Sequence, residues 1–314
     1  MVKPSSQTRI ASMKTSLHPT RRQFLQSTTL TAGALLLGRG VFASETPAGK
    51  FSASQRVALG KSGLKVSLFC LGTGMRGGRR ESNHTRMGLE KFTALARGAH
   101  ERGVTFFDLA DLYGTHDFFR QAMSPVPRGD YEVVTKIWWG RGGLPEPERP
   151  DADVVVTRFL KELQTSYLDL VLLHCVTAEG WNQDLAGQME RLAELKKKGV
   201  IRAHGVSCHS LPALRTAASE PWVDAIHARI NPYGASMDGQ PEEILGVLRT
   251  AKANGKGIVG MKIIGEGRFR EDEAKKRESV RFALQSGCVD VLLVGCETLP
   301  EFEELRKFIR ETGA

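Results

Sequence analysis

No two of the five cysteines, Cys70, Cys175, Cys208, Cys288 and Cys296, stand at C-x-x-C spacing. That excludes the common zinc, iron–sulfur and dithiol motifs, so no metal site is expected. An odd count without a pairing pattern fits buried free thiols better than a disulfide framework. The chain also has no apolar run near the ~20 residues a membrane span needs, and no stable membrane anchor is expected. A dinucleotide fingerprint is missing too. The glycine-rich stretch Leu71-Gly-Thr-Gly-Met-Arg-Gly-Gly78 lacks G-x-G-x-x-G spacing and does not open a helix at once, which argues against an open doubly wound sheet. Finally, the first 43 residues contain no acidic side chain.

That last absence is accompanied by Lys3, Arg9, Lys14, Arg21, Arg22 and Arg39. Thr20-Arg21-Arg22-Gln23-Phe24-Leu25 precedes a mildly apolar run, Ser27 to Gly38, and then Val41-Phe42-Ala43, a small-residue cleavage pattern. The order resembles a bacterial twin-arginine export signal over residues 1–43, which implies the twin-arginine machinery as partner and a periplasmic or exported destination. A basic arm for nucleic acid is the competing reading. The net charge of +9 includes six from this segment, and the remaining +3 gives no case for nucleic acid as partner.

Residues 44–54 are polar with Pro47, Ala48 and Gly49, and read as a linker to a body over 55–314. The body opens with a β-hairpin, Arg56–Leu59 and Leu64–Val66 around a Gly-bearing turn. Predicted strands then follow at 67–71, 104–107, 131–136, 168–174, 201–207, 225–231, 257–261 and 289–294. Predicted helices lie between and after them, at 88–102, 117–123, 152–165, 183–198, 211–219, 241–254, 273–286 and 299–311. Eight strands alternating with eight helices over about 250 residues predict an α/β fold, a single (β/α)₈ TIM barrel with an N-terminal β-hairpin.

In such a barrel the C-terminal strand ends share one face. The apolar run Val104 to Phe107 ends in Asp108, with Tyr113 five positions on in a loop closed by Gly114. The next strand ends in Lys136 and the one after it in His174. Each has a structural alternative: Asp108 as a helix cap, Tyr113 packed on that helix, Lys136 snorkelling to solvent, His174 satisfied in the core. Together, on neighbouring strands, they form a candidate catalytic group.

The stretches Leu59-Gly-Lys-Ser-Gly-Leu-Lys-Val-Ser67, Phe107-Asp-Leu-Ala-Asp-Leu-Tyr-Gly114, Val134-Thr-Lys136, Tyr167-Leu-Asp-Leu-Val-Leu-Leu-His174 and Gly205-Val-Ser-Cys-His-Ser210 resemble the aldo/keto reductases across essentially the whole body. The resemblance implies a catalytic tetrad of Asp108, Tyr113, Lys136 and His174. A nicotinamide cofactor, NADP with NAD as the alternative, would supply hydride for an aldehyde or ketone substrate. Tyr113 would be the proton donor, its pKa lowered by Lys136, with Asp108 holding Lys136 and His174 orienting the substrate oxygen.

The cofactor contacts that the resemblance implies are Gly72, Thr73, Asp108, Ser207, Cys208, His227, Met261, Lys262 and Glu297. Several depart from the family pattern. Cys208 stands for the usual Asn, His227 for Gln and Met261 for a stacking aromatic. Glu297 lies where NADP users often place phosphate-binding residues, and it would repel phosphate or bind ribose hydroxyls. These departures motivate a second reading, a non-catalytic nucleotide-binding or sensory barrel. Substrate identity rests in loops such as Trp138-Trp-Gly-Arg141.

Overall fold

A computed structural model of the chain describes residues 51–313, so the export-signal reading of residues 1–43 lies outside the described residues. Arg56–Ala58 (β1) and Lys65–Ser67 (β2) pair antiparallel, with Val57 opposite Val66. Leu59, Leu64 and Val66 are buried in one cluster with Cys70, Phe106, Val134, Leu170 and Val259. The Lys61 N–H donates to the Gly255 carbonyl at 2.8 Å, just before a barrel strand begins. The hairpin therefore plugs the end where the strands start, and the opposite end stays open for chemistry.

The barrel strands are Phe69–Gly72 (β3), Phe106–Asp108 (β4), Glu132–Trp138 (β5), Leu168–Val176 (β6), Ile201–Cys208 (β7), Ala225–Arg229 (β8), Gly257–Met261 (β9) and Val291–Gly295 (β10). All pair parallel with their neighbours, and β10 closes the ring onto β3. Adjacent residues on a strand face opposite sides, so Phe106, Val134, Leu170 and Leu172 point inward while Phe107, Val133 and Val171 point to the helices. Both sides are apolar, which is why these strands read as continuous hydrophobic runs.

Ten helices stand among the described residues: Asn83–Arg86 (α1), Leu89–Glu101 (α2), His116–Met123 (α3), Ala152–Leu163 (α4), Trp181–Asp184 (α5), Ala186–Lys197 (α6), Leu211–Ser219 (α7), Pro241–Ala253 (α8), Glu273–Gln285 (α9) and Leu299–Glu311 (α10). Ser210, Asp272 and Thr298 cap α7, α9 and α10 by accepting backbone N–H bonds, as short polar side chains do at a helix start.

Three local differences from the sequence reading have clear causes. The helix expected at 183–198 breaks at Leu185, after a short turn anchored by buried Trp181, whose indole N–H donates to the Ala213 carbonyl at 3.2 Å. The four-residue α1 is held by a capping box on Ser82 and was not anticipated, because it is too short to show periodicity. Residues 52–54, read as the end of the linker, pack on the barrel. Ala53 is buried and its carbonyl accepts the Phe69 N–H at 3.0 Å.

Candidate active site

Three of the four candidate catalytic side chains share one register rule. Phe106, Val134 and Leu172 point into the barrel, and Asp108, Lys136 and His174 each follow two positions later, so all three also point inward. Lys136 pairs with Leu172 across β5 and β6, while Asp108 pairs with Val134 across β4 and β5. Strand pairing thus steps the three inward-facing side chains up by two residues from one strand to the next toward the open end.

Tyr113 arrives differently, on a 3₁₀ turn at Asp111–Tyr113. Buried Asp111 ties that turn down by accepting from Arg80 Nε at 2.9 Å and from an Arg158 guanidinium nitrogen at 2.6 Å. Gly114 ends the turn at φ +67°, where a side chain would also overlap the Arg80 carbonyl. On the other side, Gly74 lies flat against the Tyr113 ring, closer than any Cβ could stand. The phenol is held between Gly74 and the side chains of Lys136 and His174.

Lys136 Nζ lies 2.5 Å from Asp108 Oδ1, 2.9 Å from the Leu109 carbonyl it donates to, and 3.4 Å from the Tyr113 hydroxyl. The Tyr113 hydroxyl is 3.5 Å from His174 Nε2. All four residues that the sequence selected are therefore contiguous. Burial raises the Asp108 carboxyl, against the opposing pull of Lys136. Burial also lowers the His174 imidazole well below its usual value, helped by Lys136, so the ring is neutral near pH 7.

The Tyr113 phenol departs from expectation. Burial pushes its pKa well above the ordinary value, and the carboxylate of Asp108 adds to the rise. Lys136 does not offset this, because its charge is matched by the nearer Asp108. Where the sequence predicts a lowered phenol, the structure holds a firmly protonated one.

A cleft of about 970 Å³ opens over this group. Gly72, Asp108, Tyr113, His174, Met261, Lys262 and Glu297 line it. The other expected cofactor contacts are not on its wall. Thr73 is fully buried, its hydroxyl donating to the Asp108 carbonyl at 2.8 Å. The Ser207 hydroxyl accepts the Cys175 N–H at 2.8 Å. Cys208 points outward into the apolar layer beneath the helices, as the neighbour of inward-facing Ser207 must. His227 is fully buried with Nδ1 3.7 Å from Asp108 Oδ1, and neither ring nitrogen has a hydrogen-bond partner.

The Glu297 carboxylate does not stand alone. It accepts from Asn83 Nδ2 at 2.6 Å and pairs with Arg270, which also pairs with Glu301. Burial would raise the Glu297 carboxyl, but the hydrogen bonds from Arg270 and Asn83 hold it low. Arg270 and Lys276, the latter 2.5 Å from Glu304, line the same end of the cleft. Sequence reasoning missed both, because a lysine on an amphipathic helix and an arginine in a polar loop look like solvated surface.

A family comparison joins this geometry to known proteins: the aldo/keto reductase profile matches residues 69–314. The chain belongs to the aldo/keto reductase family. Aldo/keto reductases are oxidoreductases that in general reduce carbonyl groups with NAD(P)H, and membership of the family supports an oxidoreductase enzyme. It is 29% identical over 190 residues to the methylglyoxal reductase DkgB of Salmonella typhi, covering 60% of this chain and 67% of that protein. A Glycine max protein named as a probable aldo-keto reductase is 26% identical over 223 residues, covering 68% of this chain and 61% of the relative. The chain thus spans about two thirds of the length of these relatives. A solved Pseudomonas aeruginosa structure carrying the aldo-keto reductase name superposes with a TM-score of 0.67 at 21% identity, over 84% of this chain and 97% of that one. At that identity the likeness establishes the barrel alone.

Proposed function

We propose that this aldo/keto reductase converts an aldehyde or ketone to the alcohol with NADPH or NADH, Tyr113 being the general acid. The observation that carries the reading is the unbroken chain Asp108–Lys136–Tyr113–His174 on the floor of the cleft. A bound nicotinamide cofactor supplies the hydride. The residues on the cleft wall fit such a group: apolar Met261 near the tetrad for the ring, and Arg270, Lys276, Asn83 and Glu297 at the other end for phosphate or ribose hydroxyls. Lys262, Gly72 and Asp108 also line the cleft.

Tyr113 hydrogen-bonds the carbonyl oxygen and transfers its proton as negative charge develops there. A raised phenol pKa suits that role, because the group stays protonated at every physiological pH and an alkoxide is a far stronger base than a phenolate. Burial keeps the phenol in the proton-donating form that the reduction step uses. Neutral His174 orients the oxygen toward Tyr113. Lys136 donates to the Leu109 carbonyl and balances Asp108, fixing the floor on which the phenol rests.

Export completes the reading. Arg21-Arg22 and the run behind them support a twin-arginine signal over residues 1–43, a linker over 44–54 and a mature barrel over 55–314 working in the periplasm.

The test is NAD(P)H oxidation with a panel of aldehydes, ketones and quinones, on wild type and Tyr113→Phe. The variant keeps the ring but loses the proton, so turnover falls by about 10²–10⁴, with cofactor affinity and melting temperature nearly unchanged. Undiminished turnover in Tyr113→Phe would remove the mechanism. A wild type that binds nucleotide tightly and turns over nothing would favour the binding-protein reading.

A further inference from the structure

Strand β6 carries a register shift between Leu173 and Val176, and within it Cys175 takes φ +57°. A left-handed backbone is uncommon for a residue with a side chain, and a bulge at a strand end re-aims what it carries. In a regular strand His174 and Cys175 would face opposite sides. Here both line the cleft, and His209, which follows β7, lines it beside them.

The bonding of His209 fixes its chemistry. Arg229, at the end of β8, directs a guanidinium N–H at His209 Nδ1. Its other terminal nitrogen donates to Asp238 Oδ1 at 3.0 Å, and the Asp238 side chain is only 3% exposed. A guanidinium can only donate, so Nδ1 must accept and the single ring proton sits on Nε2. That N–H is 3.3 Å from Cys175 Sγ. Burial, together with the Arg229 charge beside it, lowers the imidazole to a pKa of about 3, so the neutral ring persists across the working range.

Asp238, Arg229 and His209 therefore form a relay that aims one N–H at the cleft wall. Its end point is a thiol, a weak acceptor that a substrate oxygen readily displaces. The His209 and His174 rings lie 6.4 Å apart and nearly perpendicular. Two imidazoles thus stand side by side on the cleft wall, His174 next to Tyr113 and His209 beyond it. The Trp138 indole N–H, beside His174, is already committed, donating to the Gly142 carbonyl at 2.7 Å.

We propose that His209 is a substrate-orienting residue whose Nε2–H binds the second oxygen of an α-dicarbonyl substrate, an α-oxo aldehyde or α-oxo ester, while Tyr113 and His174 hold the reacting carbonyl. Arg229 is a positioning residue that acts through the ring tautomer. The inference rests on the reductase reading above, and it adds the substrate class. A monocarbonyl compound leaves the His209 donor on the thiol and gains nothing from the relay.

The test uses two phenyl ketones activated to similar degree, ethyl benzoylformate with a vicinal carbonyl and trifluoroacetophenone without one. In His209→Phe, kcat/KM for the oxo ester falls about tenfold to a hundredfold, while that for trifluoroacetophenone changes less than about threefold. Equal losses on both compounds, or none, would overturn the proposal. Nitrogen-15 NMR of the full-length chain in complex with oxidised cofactor reads the same site without turnover. His209 should appear as the Nε2–H tautomer, shift on adding ethyl benzoylformate and stay put with trifluoroacetophenone. Arg229→Met should release the single tautomer. Should the wild type reduce neither ketone, the reductase reading fails, and the NMR shift alone then decides whether His209 binds the second oxygen.

Discussion

The ammonium of Lys136 stands 2.5 Å from the carboxylate of Asp108 and 3.4 Å from the hydroxyl of Tyr113, so the carboxylate holds its charge and the phenol does not. Both members of the pair are almost fully buried, with side chains 2% and 4% exposed. Removing one member of such a pair strands the other.

Lys136→Met is accordingly expected to destabilise the fold as well as slow the reaction. Asp108, already raised by burial, escapes part of the cost by taking a proton, which limits the loss to about 1–3 kcal/mol. Without Lys136 the folded-state pKa of Asp108 rises further above its unfolded value. A raised carboxyl contributes stability below the unfolded pKa, about 3.9, and loses it as pH climbs through the folded one. The melting-temperature deficit of the variant should therefore be large at pH 7 and shrink as pH falls toward 4. A deficit independent of pH would mean that Asp108 does not carry it.

The pH profile of reduction follows from two opposite shifts. His174 is held well below its usual range and Tyr113 well above, so each keeps one protonation state across neutrality. With kcat measured at saturating cofactor, no inflection is expected near about 6.5 or about 10, where free His and Tyr titrate. A break near 6.5 that vanishes in His174→Gln would show that His174 works in its charged form.

Cofactor choice is expected to depend on how Arg270 is shared. Its charge is matched by Glu297 and Glu301, so a 2′-phosphate gains little, and the preference for NADPH over NADH should be about tenfold, or ~1.4 kcal/mol. Glu297→Gln removes one carboxylate charge and should raise the preference further. Fluorescence titration of the apo protein checks both. A wild-type preference of several thousandfold would contradict this balance.

Export is checked by fractionation. Replacing Arg21 and Arg22 together by lysine should leave uncleaved precursor in the cytoplasm, while wild type yields a mature protein starting near Ser44. Mature double mutant in the periplasm would rule out the twin-arginine route.

The sequence by itself determined the barrel and the strand-end residues Asp108, Lys136 and His174 through periodicity, while Tyr113, on the loop after β4, took its role from the family resemblance. Buried parallel strands are apolar on both faces, so Val133, Val134, Leu170, Val171 and Leu172 announce them, and the ionisable residues that end such runs, Asp108, Lys136 and His174, mark the open end. Tertiary structure decided what depends on direction and on distant chain. Cys208 turns outward and His227 is sealed beneath Asp108, because side-chain facing alternates along a strand and burial depends on what lies above it. Arg270 and Lys276 reach the cleft from a loop and a helix that read as solvated surface, and Glu297 is neutralised by partners far away in sequence. The high phenol pKa of Tyr113 and the single tautomer of His209 arise from burial and from neighbours on other strands. Only the closed barrel brings those neighbours within bonding distance.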